Sequence, residues 1–323
     1  MKIIRHSILL STLLLSGSLA AQTIALISDL NGRYGSTVYN DRVSDAVDTV
    51  IGMQPDLVIS AGDMVAGQKQ PQLDQDRLDQ MWQGFNLAVA DPLSRSGIPF
   101  AVTPGNHDGS GFPEYALERE RFRVHWEPRT PELEILPGSA WPSRYAARMG
   151  RTLLVAFDGT IPGKLSKSEF QFVERMLQTH GAAAGVTLVY SHLPMWPLAQ
   201  GREHEILDDP ALLTLLHTHG VDVYISGHHH VFYPGIDSAG MVHIGVAALG
   251  GNTRRVIGQE TRQPFSFAVL ELSDNRLDVR SFVAPGFGGE VPVKYQPESI
   301  DGPLGLLRRL DGSADFLEKM VED

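Results

Sequence analysis

Short apolar runs alternate along the chain with longer stretches of helical period. Residues 23–28, 56–60 and 98–103 are compact, β-branched-rich runs, as expected of strands buried on both faces. Residues 152–157, 186–190 and 221–226 repeat that pattern. Between them, 37–53, 72–94, 166–180 and 210–219 place apolar residues three or four apart, the spacing of a helix with one buried face. The alternation predicts an α/β fold with partly parallel sheets and covering helices. Runs at 241–246, 265–272 and 277–283 follow without helices between them and predict a second sheet layer. Residues 304–321 have the spacing of one or two short amphipathic helices. The stretch 112–141 is rich in Pro, Glu and Arg and breaks the alternation, so it is expected to be an insertion or lid. No Pro/Gly/Ser-rich linker divides the chain, so 21–323 is expected to be a single domain.

The first twenty residues stand apart from this pattern. Lys2, Arg5 and His6 make a basic start, residues 8–15 are apolar, and Ser16, Gly17, Ser18 and Ala20 are small. That order is expected of a secretory signal peptide cleaved after Ala20, with a periplasmic or secreted product. The apolar run is too short for a bilayer span, which needs ~20 residues. The chain contains no cysteine, which excludes disulfides, thiolate metal sites and a cysteine nucleophile. The formal charge of −11 moves to near −13 when Lys2 and Arg5 leave with the signal. An acidic surface of this kind argues against binding nucleic acid or anionic membranes. A small anionic substrate is still compatible with it if metal supplies local positive charge.

Polar clusters punctuate the ends of the expected strands. They are Ser28-Asp29-Leu30-Asn31, Gly62-Asp63, Gly105-Asn106-His107-Asp108, Ser191-His192 and Gly227-His228-His229-His230. In α/β sheets, ligands bind in the crevice outside the carboxyl ends of the strands, so residues distant in sequence can converge there. Asp, Asn and His are oxygen and nitrogen donors for divalent ions. In an extended stretch His228 and His230 share one face and His229 points away. His204, His217, His219 and His243 lie outside the clusters and are expected to be structural or exposed. The basic loop from Gly250 to Arg255 follows a strand and is either a solvated turn or a contact for substrate phosphate.

In order, these clusters resemble the motif set of the calcineurin-like metallophosphoesterases, which runs D-x-H, G-D, G-N-H-D/E, a lone H, then G-H-x-H. Four of the five blocks stand intact. The resemblance implies an α/β four-layer sandwich of two mixed β-sheets flanked by helices. It also implies two divalent or mixed-valence ions, with Mn, Fe, Zn and Mg as candidates. By position, Asp63 resembles the bridging carboxylate. Asp29 and His230 resemble ligands of the first metal, and Asn106, His192 and His228 ligands of the second. His107 resembles the catalytic histidine, and Asp108 the residue that orients it. The first block departs from the pattern, with Asn31 where histidine is expected. Purple acid phosphatases in the same superfamily also lack that histidine and use a tyrosine after G-D. Here Met64-Val65-Ala66-Gly67 follows Asp63, so that tyrosine is missing too.

The implied activity is hydrolysis of a small phosphorylated substrate by a metal-bound hydroxide, with phosphate monoesters as the expected class. A phosphodiesterase, including one for cyclic nucleotides, is the alternative within enzymes. The alternative outside them is a relative that binds metal with weakened catalysis.

Overall fold

The computed structural model describes residues 21–273 and 276–315. The expected signal segment lies outside the described residues. The strands in chain order are β1 (Gln22–Ile27), β2 (Leu57–Ser60), β3 (Phe100–Val102), β4 (Glu134–Ile135), β5 (Tyr145–Met149), β6 (Thr152–Ala156), β7 (Val186–Tyr190) and β8 (Val223–Ser226). They continue with β9 (Tyr233–Ile236), β10 (Val242–Gly245), β11 (Ser266–Ser273), β12 (Arg276–Val283), β13 (Ser299–Gly302), β14 (Gly305–Arg309) and β15 (Ser313–Asp315). The α-helices are α1 (Asp41–Met53), α2 (Gln75–Phe85), α3 (Asp91–Arg95), α4 (Asn106–Gly109), α5 (Ala116–Trp126), α6 (Lys167–His180) and α7 (Pro210–Thr218).

The strands form two mixed sheets. The first has the order β15-β12-β11-β1-β2-β3, with β1, β2 and β3 parallel. The second has the order β13-β14-β9-β10-β8-β7-β6-β5-β4, with β6, β7, β8 and β10 parallel. Side-chain alternation sorts each strand between two cores. Ile24, Leu26, Leu57 and Ile59 point between the sheets, where they meet Leu154, Leu188, Ile225 and Ile244. Ala25, Ile27 and Val58 point outward onto Val43, Ala46, Val47 and Val50 of α1. Leu153, Val155 and Val189 point outward onto α6 and α7. The result is the expected helix–sheet–sheet–helix sandwich. Both faces of the central strands are buried, which explains their near-continuous apolar sequences.

The helices begin where the sequence supplies caps. Asn40 accepts from the Arg42 N–H ahead of α1, and Ser166 accepts from the Glu169 N–H ahead of α6. The expected helix at 72–94 is interrupted, with a π-helical turn at Asn86–Ala90 between α2 and α3.

The C-terminal expectation is overturned over its described part. Residues 305–309 and 313–315 are strands, not amphipathic helix. The apolar residues there pack by strand alternation: Leu307 is fully buried while its neighbours Leu306 and Arg308 are exposed. Pairing of β14 with β9 and of β15 with β12 satisfies the backbone at two sheet edges. Residues 316–321 of that expectation lie outside the described residues.

Segment 112–141 carries α5, which packs on α2 through Phe122, His125 and Trp126. The His125 ring stacks on Trp82 at 4.2 Å. Trp196 is buried against His243, and its indole N–H donates to the Gly305 carbonyl. It does not line either cavity beside the clusters.

Candidate metal centre

The parallel strands of both sheets end along one edge of the sandwich. There β1 delivers Asp29, β2 delivers Asp63, β3 runs into α4 with Asn106 and His107, β7 delivers His192, and β8 delivers His228 and His230. Close approach of these turns requires small residues. A Cβ on Gly105 would run into the backbone and carboxylate of Asp63, and Gly62 combines a φ of 95° with Gly105 and His192 where a Cβ would stand. Asp29, Asp63, Gln68, His228 and His230 also have positive φ, unusual for residues other than glycine. Such strain concentrates at functional sites and persists where surrounding structure enforces it.

Two groups of donor atoms converge. Asp63, His192 and His228 form one and Asp29, Asp63 and His230 the other; within each, the donor atoms lie within 4.8 Å of one another. Asp63 belongs to both. Asp29 Oδ1 and Asp63 Oδ2 are buried and have no hydrogen-bond partner among the described residues. Buried carboxylate oxygens without partners are costly unless a cation sits beside them.

Each histidine has one ring nitrogen anchored and the other turned into the cluster. His192 Nδ1 donates to the Ala61 carbonyl at 2.7 Å. Its Nε2 then lies 2.9 Å from Asn106 Oδ1, 3.2 Å from His228 Nδ1 and 3.4 Å from Asp63 Oδ1. His228 Nε2 donates to the Glu205 carboxylate at 2.8 Å. His230 Nδ1 donates to the Asn252 carbonyl at 2.5 Å, and its Nε2 faces Asp29 Oδ1 at 3.1 Å. This is the usual support of metal-binding imidazoles, in which an outer acceptor fixes the tautomer. Acceptors facing acceptors need a cation between them. The same demand for positive charge acts on His192: burial works against its charge, but Asp63 and Asp29 outweigh burial and raise the imidazole to about 9. Burial works against the Asp63 charge too, yet His192 and His107 hold its carboxyl well below the ordinary range. Burial, reinforced by His192, drives His228 well below the usual imidazole value. The donor set therefore fits a pair of divalent ions sharing Asp63.

Asn31 lies on the cavity wall with His230. Its backbone N–H donates to the Asp63 carbonyl, and its Nδ2 is turned toward the Val65 carbonyl at 3.5 Å. Neither nearby tyrosine stands in for the missing imidazole. Tyr39 donates its hydroxyl to the Met64 carbonyl, and Tyr34 donates to the carbonyls of Lys69 and Pro71.

The expected pairing of Asp108 with His107 is not made. Asp108 accepts from the N–H groups of Met64 and Gly105, each at 2.6 Å, and so ties the Asp63 turn to the start of α4. Burial and the neighbouring Asp63 charge push its carboxyl up to about 7. His107 is oriented instead by its Nδ1 hydrogen bond to the Gly67 carbonyl at 2.7 Å. Its Nε2 is left 4.0 Å from Asp63 Oδ2, with the side chain 40% exposed on the cavity. An i,i+1 pair on a helical turn does not face itself. Position beside His107 in the motif therefore could not secure that contact.

Other supports carry no motif signature. The Gln68 side-chain carbonyl takes the Asn106 amide N–H, which turns Asn106 Oδ1 toward His192. The Gln68 backbone N–H is held in turn by Glu118 of α5. Burial pushes that carboxyl up to about 7. His229 behaves as expected: it is fully buried, accepts from the Leu198 N–H and donates to the Glu205 carbonyl. His217 and His243 both bond Asp237, away from the centre.

Two adjoining cavities open over the cluster. One, about 380 Å3, is lined by Asp63, Asn106, His107 and His228 together with Arg202 and Arg254. The other, about 570 Å3, shares His107, His230, Arg202 and Arg254 and extends over the Gly250–Arg255 loop.

The calcineurin-like phosphoesterase family model matches residues 22–232. No curated protein matches the sequence. Among solved structures, the chain is similar to a purple acid phosphatase from yellow lupin (Lupinus luteus) seeds. The TM-score is 0.64 at 14% identity, over 84% of this chain and 53% of that one. It thus spans about half the length of that relative. It is also similar to a dimetal phosphatase from Danio rerio, with a TM-score of 0.53 at 18% identity, over 80% of this chain and 95% of that one. A third similar structure is GAP50, the anchor in the inner membrane complex of Plasmodium, with a TM-score of 0.57 at 14% identity, over 84% and 88% of the two chains. At these identities the likeness shows the fold, while the family match spans every motif block from Asp29 to His230. The chain belongs to the calcineurin-like phosphoesterases.

Proposed function

We propose that the protein is an exported phosphatase that hydrolyses small phosphate monoesters. The observation that carries this reading is Arg254. Its guanidinium borders the metal-ligand cavity, its Nε is buried without a hydrogen-bond partner, and it makes no ion pair among the described residues. A cation held in that state suits the dianion of a monoester better than the single charge of a diester. Bound ions supply water activation and charge neutralisation at the phosphoryl group. Within that frame Asp63 would be shared by the two ions, Asp29 and His230 would hold one, and Asn106, His192 and His228 would hold the other. With Nδ1–H given to the Gly67 carbonyl, His107 in its doubly protonated form carries a second proton on Nε2, which faces the cavity, and passes that proton to the departing alkoxide. Mn, Fe, Zn and Mg are the candidate ions. Export rests on the composition of residues 1–20; among the described residues no helix is long and apolar enough to cross a membrane.

The deciding experiment compares turnover of 4-nitrophenyl phosphate with bis(4-nitrophenyl) phosphate across these metals, with a metal count on the same sample. Faster turnover of the monoester, lost together with metal in Asp63→Asn, is expected. A preference for the diester would transfer the protein to the phosphodiesterase reading. Fractionation and N-terminal sequencing of the mature chain test export, with a start at Ala21 expected.

A further inference from the structure

The larger cavity has a composition opposite to that of the chain. The protein is acidic, with a formal charge of −11. Yet this cavity is lined by Lys69, Arg202, Arg254, Arg255 and Arg262 and, among the described residues, by no Asp or Glu. The metal ligands do not explain those cations, because the carboxylates lie in the neighbouring lobe with Asp63 and Glu205. Nor do most of these cations form ion pairs where they stand. Of the five, only Arg202 makes an ion pair among the described residues, with Glu205.

Several are also held in place. Arg262 donates to the Thr253 carbonyl at 2.7 Å, which fastens it to the loop that presents Arg254 and Arg255. The Lys69 ammonium stands 5.7 Å from the Tyr34 ring centroid, and the Tyr34 hydroxyl is tied to the backbone. Arg254 is half-buried, and burial followed by the nearby Arg202 lowers its affinity for its proton. Like charges crowded into a cavity of about 570 Å3 repel one another. The arrangement is relieved when an anion enters.

We propose that this lobe binds a second phosphate carried by the leaving group, so that the preferred substrate is a small bisphosphorylated molecule. The inference rests on the phosphatase reading of the adjoining lobe. The phosphoryl group to be cleaved occupies the metal-ligand cavity below His107. Arg202 and Arg254 stand at the junction of the two lobes, and Lys69, Arg255 and Arg262 receive the distal phosphate. A phosphate fits this lobe better than a carboxylate because it offers two charges and three acceptor oxygens to several guanidinium groups.

The test uses the metal-loaded full chain and has two readouts. Calorimetry compares butane-1,4-bisphosphonic acid with butylphosphonic acid, neither of which can be hydrolysed at a P–O–C bond. Steady-state kinetics compares 1,4-butanediol bisphosphate with butyl phosphate. The bisphosphonate is expected to bind about tenfold more tightly and the bisphosphate to show a similar gain in kcat/KM, both shrinking at high salt. In the Lys69→Gln/Arg255→Gln double variant both preferences should collapse toward one. Equal binding of the two phosphonates, with turnover of both esters intact, would overturn the distal-phosphate lobe and leave the phosphatase reading standing. Turnover of neither ester, with the binding preference retained, would overturn the phosphatase reading instead. A preference that survives unchanged in the double variant would overturn the assignment to this lobe.

Discussion

The Glu205 carboxylate accepts from Nε2 of His228 at 2.8 Å, which leaves Nδ1 of His228 facing His192 inside the donor cluster. Glu205 also pairs with Arg202, so the same carboxylate links a donor imidazole to a cation on the cavity wall. Glu205→Ala should weaken metal binding about 10–100-fold, the usual cost of losing a support to a metal-binding histidine. Glu205→Gln keeps an acceptor and should recover part of that loss. Metal titration into stripped protein checks both variants; unchanged affinity in Glu205→Ala would separate His228 from the metal.

His107 stands differently, with its ring held by the Gly67 carbonyl and its free nitrogen on the cavity. His107→Ala should keep nearly all bound metal and lower kcat by ~10²–10⁴-fold, as expected when a general acid is removed. The loss should be smaller for 4-nitrophenyl phosphate than for an alkyl phosphate, because nitrophenolate leaves without a proton. Equal losses on both substrates would point to a positioning role.

Asp237 provides a contrast, since it is buried among histidines and yet lies outside the centre. Burial opposes its charge, but hydrogen bonds from His243 and His217 hold its carboxyl down to about 2, against 3.8 for a free side chain. A depressed carboxyl stabilises the fold fully above the unfolded value and loses that contribution as pH falls through the folded value. Asp237→Asn should therefore destabilise the protein by about 1–3 kcal/mol at neutral pH. The gap to the native chain should close between about pH 4 and pH 2. Urea unfolding across that range measures it, and metal content at pH 7 should not change.

The legible part of the site was the part placed by strand ends. Asp29, Asp63, Asn106, His192, His228 and His230 each follow an apolar run, and parallel strands bring their ends to one edge whatever lies between. The alternation of strands and helices likewise disclosed the sandwich, because both faces of β1, β2, β6 and β7 are apolar. What stayed hidden depends on loop conformation and carries no period. Glu205, Gln68 and the Gly67 carbonyl act through single hydrogen bonds from irregular segments. The direction of Asp108 was not legible either, because adjacency in a motif says nothing of direction; its carboxylate turns back to the backbone of Met64 and Gly105. The strands at 305–309 and 313–315 escaped because short apolar–polar runs there fit both periods, and pairing with β9 and β12 decided between them.

The least usual feature of the centre is Asn31, and it leads to a prediction about the two metals. The group of Asp29, Asp63 and His230 contains one imidazole, whereas Asp63, His192 and His228 contain two. Asn31 stands at the position of the missing imidazole, on the cavity wall beside His230. Its Nδ2 is turned to the Val65 carbonyl, so the atom it has left to offer is a neutral oxygen. The two tyrosines close in sequence have spent their hydroxyls on backbone carbonyls and do not make up the deficit. Imidazole nitrogen favours Zn and Fe, while amide and carboxylate oxygens favour Mn and Mg. The first site should therefore bind more weakly than the second and lean toward Mn or Mg. Titrating metal into stripped protein should show one tight and one weak event, with activity following the weak one. Asn31→His should strengthen the weak event by about tenfold and shift its preference toward Zn. Two equally tight equivalents of zinc in the native chain would defeat this account.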